Sequence, residues 1–506
     1  MPYIDVEGSI PESISTFDSY QVYNALDCCI TAQLLPVMMD QLNQNTAATY
    51  RRGMNVLALC LEMSSKGFCI DRLTLANLIF DLQKASRRAL ALLHRYCDAV
   101  GFRPVNPRSP IDVPELFYTH LKLPEIFEFD RKTNKRKLSA DIKALEKLRS
   151  QYPVARPFVN AIIAFREAAK MESVFSRGLE PATGNLRCNF TPTGTETGRL
   201  SSQQNPYGRG TNGQNLTDRV RQTIVAPDGW AILNFDLKTA ESVAVGYLSG
   251  DRAYISACES GDLHTGVCKL VWPHLSWTGD RKSDKSVAES PFYRHFTYRD
   301  QAKRGGHGSN YYGKPRTIAQ IINVPTKVME EFQAQYFAAF PGIQAWHLET
   351  IAKVQREGII TTPLRRERRF WGRPDDEATW REAIAYAPQS LVGDVMNEGL
   401  IQVLRWLQTN EGSIYRKNID LRAQVHDAGV FLVPISELHE LVPIITRLLQ
   451  RPVDFGPLGT MLIENDAMIG KSWNKAPKPG KSQDPFLLRG LRDYDPSDDL
   501  EWLKAA

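Results

Sequence analysis

A chain of 506 residues with 42% hydrophobic and 24% charged residues is too long for one hydrophobic core and has the composition of an ordinary globular protein, which argues against a disordered or fibrous chain. Its formal net charge of +5 points only weakly to an anionic partner, so the placement of the basic residues matters more than their sum. The eight cysteines are scattered without a Cys-x-x-Cys pair, which argues against a structural zinc or a disulfide framework. No signal peptide and no run of about 18 apolar residues is read, so a soluble cytoplasmic protein with no membrane partner and two to four subdomains is expected.

In chain order, residues 1 to about 50 are mixed, with a helical stretch near Tyr20 to Leu42. From Thr46 to Arg95 the apolar spacing is helical, interrupted at GFCID, where Gly67 and Asp71 mark a turn and a new helix start. A proline-rich loop, FRPVNPRSPIDVP, precedes a basic stretch with Arg131, Lys132, Lys135, Arg136 and Lys137. A second long helical pattern then runs from about Ala140 to Phe175. Two long helices joined by a basic tip suggest an antiparallel arm that touches something anionic.

After Gly184 strands and loops take over. AILNFDL is an apolar strand ending in Asp236, and TAESVAVGYL after it has helical spacing. Residues 252 to 400 read as largely helical and hold a second basic cluster, Arg365, Arg366, Arg368, Arg369 and Arg373. A hairpin follows at 421 to 434 with His426 and Asp427 at its tip, then a helix at about 436 to 450. The tail from Ala476, rich in proline and charge, is expected to lie outside the main fold.

Two strand-end carboxylates call for a physical reason. If the strands ending at Asp236 and Asp427 share a sheet, the two acids meet at its edge and repel unless cations sit with them. Hard oxygen donors select Mg²⁺ or Mn²⁺, and a pair of such ions roughly 3.5–4 Å apart clamps the oxygens of a phosphoryl transfer. In YRDQAKRGGHGSNYYG, Arg299, Lys303, His307 and Tyr311 recur every four residues and share one helix side. That face offers two cations to a triphosphate and two rings to a base and sugar. A solvated basic helix face is the plainer reading of the same spacing.

TETGRLSSQQN (195 to 205), the segment GQNLTDRVRQTIVAPDGWAILNFDLKTAESVAVGYLSGD, RDQAKRGGHGSNYYG and QVHDAG together resemble, in order, the signature segments of family A DNA polymerases. GFCIDRLTL, the NPRSP loop and the helical segment ending in MESVF are similar to that family's thumb, and IGKSW to its C-terminal strand, so the likeness covers about residues 50 to 475. The resemblance implies an α+β, right-hand polymerase fold with an antiparallel-sheet palm, helical fingers and a helical thumb. The expected boundaries are thumb 50–185, palm 186–250 and 400–475, and fingers 251–399, with 1–49 a remnant of a 3′-5′ exonuclease region and 476–506 a flexible tail.

The same resemblance implies the roles. Asp236 and Asp427 hold two Mg²⁺ ions, with Mn²⁺ as a substitute; Glu241 is the steric gate against a ribose 2′-hydroxyl. Arg299, Lys303 and His264 contact the phosphates of the incoming dNTP, with Lys303 also a proton donor to pyrophosphate; Tyr311 packs at the template side of the nascent pair, and His307 stands where the family usually has Phe or Tyr. Arg199, Gln214, Asn215, Gln389 and His426 contact primer-template DNA near the minor groove, where contacts check geometry without reading sequence. Arg366 and Arg381 match less distinctive positions.

The chain departs from the family pattern at Ala428, where an accessory carboxylate is usual, and at His307 and Tyr312; with Gly305 and Gly306 the helix is expected to be pliant. YNALD, with Tyr23 and Asp27, resembles the third exonuclease motif, while DVE at Asp5 to Glu7 lies too close to it to be the first. Either proofreading is absent or a separate exonuclease chain docks on residues 1 to 45. QDPFLL (483 to 488) loosely resembles a peptide for a processivity factor. A non-catalytic DNA-binding accessory protein and a single-subunit RNA polymerase are the competing readings, and the trimmed layout suggests a bacteriophage enzyme.

Overall fold

The structure, a computed structural model, describes residues 16–130, 135–205, 207–294, 296–478 and 480–504; the DVE segment and the basic residues Arg131 and Lys132 lie outside them. Helices α1 (Thr16–Asp40) and α2 (Gln44–Lys66) lead into α3 (Arg72–Ala99), which Asp71 caps by accepting from the Leu73 and Thr74 amides. Next come α4 (Ile142–Gln151) and α5 (Arg156–Gly178), then the strand β1 (Trp230–Leu237) and α6 (Ala240–Ser249). Helices α7 (Leu263–Val271), α8 (Tyr298–Asn310), α9 (Thr326–Ala339) and α10 (Pro341–Glu357) precede a small hairpin, β2 (Ile359–Thr361) with β3 (Glu367–Arg369). After α11 (Glu377–Trp406) come β4 (Asp420–Val425), β5 (Ala428–Pro434), α12 (Leu438–Leu449), β6 (Asn465–Gly470) and β7 (Arg492–Asp493).

The chain divides into two compact units. One comprises Leu57–Ala240, Val395–Arg451 and Leu462–Ala506 and is built on a five-stranded antiparallel sheet in the order β4-β5-β1-β6-β7. Its central strands β1 and β5 are near-continuous apolar runs because both of their faces are covered. In the same unit α3 packs along α5. The segment joining them folds into a core of its own, with Val113, Leu116, Phe117, Leu145 and Leu148 buried against Leu93 and Phe158. The expected single helix from Ala140 to Phe175 is in fact two, because Pro153 cannot continue a helix and the chain turns through Pro153–Ala155.

The tail is not outside the fold. β7 adds the fifth strand by pairing Ile469 with Arg492 and Met468 with Asp493. Leu491, Leu500 and Leu503 are buried, and Arg489 forms an ion pair with Asp71 at 3.0 Å. Its prolines and charges occupy turns and surface, while three spaced leucines are enough to seat it.

The second unit comprises the described part of Met1–Val56, Glu241–Asp394 and Pro452–Met461. Its helical core gathers Tyr254, Val267, Trp272, Met329, Phe332, Tyr336, Phe340 and Ile343. Gly305 and Gly306 on α8 face this core. A Cβ on Gly305 would come within 2.8 Å of the buried Phe332 ring, and one on Gly306 within 3.2 Å of Tyr336. The glycines therefore serve close helix packing, not the pliancy expected from their low helix propensity. Gly305→Ala should destabilise the unit, since overpacking costs about 1–3 kcal/mol and exceeds the ~1 kcal/mol gained in helix propensity; a lowered urea midpoint is the measurement.

One helix passes a test of length and composition that no unbroken apolar run in the sequence had announced. Within α1, residues Tyr20–Asp40 reach a mean hydropathy of 1.3 over their best window, none of which is buried. By length and composition this helix is apolar enough to cross a membrane. Asp27, Gln33 and Pro36 break the run into short pieces, yet the windowed average stays high. Tyr23 and Asp27 stand one turn apart on it.

Candidate active site

In the sheet-bearing unit, strand β1 buries residues 231–235 and then releases Asp236 into the open at its end. Asp236 lies in register with Ala428 of β5 on one side and Asp466 of β6 on the other. His426 and Asp427 form the two-residue turn between Val425 and Ala428, and His426 takes the left-handed φ of +53° that such a tight turn demands. The Leu237 amide donates to the Asp427 carbonyl at 3.0 Å, which holds the turn against the end of β1. The two acids are thus brought together by backbone pairing and not by chance side-chain reach.

Arg199 approaches the Asp427 carboxylate at 3.4 Å. Gln214 donates to the carbonyls of Leu200 (3.1 Å) and Gln424 (3.3 Å), and Asn215 follows on the same short turn, Gly213–Asn215. Hence Asp236, Asp427, Arg199, Gln214, Asn215 and His426 all belong to one unit.

Although Asp236 has an open surface, its carboxyl is raised to about 6 by partial burial, then by the charges of Asp427 and Asp466, with Lys475 opposing. Among the described residues no three His, Cys, Asp or Glu side chains converge into a ready-made metal cage. Two mutually repelling carboxylates fit a hard divalent cation that takes its remaining oxygens from water and substrate phosphates, which is how Mg²⁺ is usually held.

In the helical unit, α8 begins with a capping box in which Thr297 and Asp300 satisfy each other's backbone amides. Its buried face is Gln301, Ala302, Gly305, Gly306, Ser309 and Asn310, which leaves Lys303 and His307 exposed. Arg299 forms an ion pair with Asp262 at 2.9 Å. Burial pushes the Asp262 carboxyl up, but hydrogen bonds from Arg299 and Thr265 outweigh it and hold it below the usual range. His264, one residue along from the start of α7, is lowered to about 4 by burial first and then by the charges of Arg299 and Lys303. With its value lowered in this way the His264 imidazole is neutral at pH 7.

At the far end of α8 the rings of His307 and Tyr311 meet edge to face at 5.0 Å, and the Tyr311 hydroxyl donates to Glu241 in the first turn of α6. Behind them Asn310 is held by Tyr254 (2.9 Å), Tyr336 (2.7 Å) and His347 (2.8 Å). Gln389 lies half-buried on α11 in this same unit. Two residues of consequence were missed in the sequence. Asp262 was legible as a helix N-cap three residues before Thr265. Asp466 carried no signal, because only strand register places it beside Asp236.

The profile of DNA polymerase family A matches residues 80–475. The thermostable DNA polymerase I of Thermus aquaticus is 28% identical over 436 residues, covering 83% of this chain and 47% of that protein. DNA polymerase I of Geobacillus stearothermophilus is 25% identical, covering 87% of the chain and 47% of that protein. The chain therefore spans about half the length of the curated relatives it matches. Among solved structures, the POL domain of Pol1 from M. smegmatis, in complex with DNA primer-template and dNTP, superposes with a TM-score of 0.66 at 22% identity, over 83% of this chain and 70% of that one. The α+β polymerase fold is shared, and with its profile match over most of its length this chain belongs to DNA polymerase family A.

Proposed function

We propose that the chain is a template-directed DNA polymerase that extends a DNA primer with dNTPs. The observation that carries this reading is the pairing of Asp236 and Asp427 at one sheet end, in a chain of this family. The primer 3′-hydroxyl would attack the α-phosphate, forming the new P–O bond as the bond to pyrophosphate breaks. Two divalent cations, Mg²⁺ by preference, would be held by Asp236 and Asp427 and supply charge neutralisation for the attacking and leaving oxygens.

The protein's own groups do the rest. Arg299 and His264 would bind the triphosphate, and Lys303 would bind it and give its proton to departing pyrophosphate. Tyr311 positions Glu241 as the gate against a 2′-hydroxyl. Arg199, Gln214, Asn215, Gln389 and His426 would contact the primer-template without reading sequence. In this reading 50–185 is the thumb, 186–250 with 400–475 the palm, and 251–399 the fingers. No complete proofreading nuclease is read in residues 1–49, and a separate exonuclease chain or a processivity factor is a candidate partner.

Primer extension with Mg²⁺, an end-labelled primer and a mismatched terminus tests the reading, because extension and degradation register on the same gel; no extension with any divalent cation would sink it. Glu241→Ala should raise ribonucleotide incorporation at least about tenfold, the size of one modest steric contact, as read by comparing dNTP and NTP incorporation. Binding of a dNTP should move the His264 pKa upward from about 4 toward the ordinary 6.5, because triphosphate charge cancels the repulsion from Arg299 and Lys303. An NMR titration of the histidine ring resonances measures it.

A further inference from the structure

We propose that the turn following β3 is a landing site for single-stranded nucleic acid, with Trp371 as the stacking platform and Arg369 and Arg373 as its phosphate contacts. Trp371 is 88% exposed, the most open large hydrophobic side chain among the described residues. Its ring carries the Arg369 guanidinium 5.7 Å from the centroid. A lone exposed aromatic means little. Here the ring is paired with a cation on a backbone anchored at both sides, which is the combination that binds an unpaired base together with its phosphate.

The five arginines of this segment divide into two sets. Arg366 is engaged by Asp394 and Arg368 by Glu382 and the faces of Phe370 and Tyr386. Arg365, Arg369 and Arg373 are exposed. The nearby acids are engaged as well. Glu367 accepts from Asn45 (3.3 Å), Asp375 from Gln355 (3.2 Å), Asp376 from the Ala378 amide (2.9 Å), and Glu377 pairs with Lys314 (2.9 Å). Of these acids Glu377 is paired with a cation, while Asp375 and Asp376 are exposed and keep their charge; the cations offered at the ring are Arg369, against its face, and Arg373, two residues on.

The platform is also stiff. Phe370 is buried with Val354, Ile360 and Tyr386, and its amide donates to the Gly358 carbonyl at 2.8 Å. A Cβ on Gly372 would come within 2.3 Å of the Thr379 hydroxyl, so only glycine lets the chain pass this close to α11. The Trp380 indole donates to the Pro374 carbonyl at 2.7 Å. A backbone held on both sides of the ring has little freedom to lose on stacking, which favours affinity.

The proposal rests on the polymerase reading only for the identity of the strand, which would be the unpaired template beyond the duplex. Its test is fluorescence anisotropy of the full chain with three labelled DNAs: a single strand, a blunt duplex, and a duplex with a long 5′ template overhang. Trp371→Ala should weaken binding to the single strand and the overhang about tenfold, as expected from loss of one stacked base, and leave the blunt duplex unchanged. Trp371→Phe should retain most of the affinity. Arg369→Gln with Arg373→Gln should reduce the salt slope for the single strand by about 1.4, at roughly 0.7 per lost phosphate contact. Unchanged binding by Trp371→Ala, or an equal loss on blunt duplex, would overturn the proposal. Extension of a primer one nucleotide short of the template end, measured on the unmodified chain, tests the polymerase reading separately.

Discussion

Asp236→Ala should abolish primer extension, by about 1,000-fold or more given the several kcal/mol that metal-held carboxylates contribute to a phosphoryl-transfer transition state, while the metal-free protein should become more stable at pH 8. Both effects have one cause. Asp236 is held next to Asp427 and Asp466, and its carboxyl is raised to about 6 from an ordinary 3.8. A raised pKa means that the folded state grips the proton more tightly than the unfolded chain does. Its stabilising contribution is full below the ordinary value and is lost as pH rises through about 6. Above that the ionised group is a local strain, on the order of 1 kcal/mol once solvent screening of this open side chain is allowed for. Melting curves from pH 4 to 8 should therefore flatten in Asp236→Ala. In the parent protein, extension should fall as pH drops through about 6, since protons then compete with the divalent cation for the same oxygens. Duplex binding by filter retention should survive the substitution. Full extension by the variant would refute the site.

Asp394→Ala should destabilise the helical unit by about 3–5 kcal/mol, among the largest single effects available in this chain. Asp394 is fully buried; it receives Arg366 through paired contacts of 2.7 and 3.1 Å and Arg52 at 3.2 Å. Arg52 also donates to the Leu364 carbonyl at 2.8 Å, so one carboxylate ties α2, α11 and the loop of the β2–β3 hairpin. Removing it strands two nearly buried guanidinium groups without their counter-charge. Replacing all three residues together, Asp394→Leu with Arg52→Met and Arg366→Met, should recover most of the loss, because a well-packed apolar set needs no desolvation of charge. Hydrogen exchange of the α11 amides, together with urea midpoints, separates the two cases. The same geometry changes the meaning of Arg366. Arg366, which matched only a less distinctive position of the family, is a structural anchor in the described molecule.

Much of the candidate site was legible because its chemistry is local in sequence. AILNFDL announces a buried strand that ends in a charge, and RDQAKRGGHGSNYYG spaces its cations and rings by one helical turn, so Asp236, Asp427, Arg299, Lys303, His307 and Tyr311 could be named from spacing and resemblance alone. The hairpin at 420–434, the helix at 438–449 and the division of strand-rich from helical segments followed from the same periodicities. The low-propensity glycines were visible too, but propensity describes a helix in isolation. Only the rings of Phe332 and Tyr336 show that Gly305 and Gly306 are there for contact.

What the sequence by itself determined is the set of groups and the elements that carry them, since helix and strand periods, caps and turn residues act over a few positions. Tertiary structure alone decided their neighbours. Strand register set Asp466 and Ala428 on either side of Asp236, joined the tail to the sheet through Arg492 and Asp493, and so fixed the electrostatic burden on the carboxylate. Long-range burial decided which arginines are engaged by acids and which stay exposed. The physical reason is common to all of these: register and burial depend on residues hundreds of positions apart meeting in one packed interior, and no short-range pattern records who they meet.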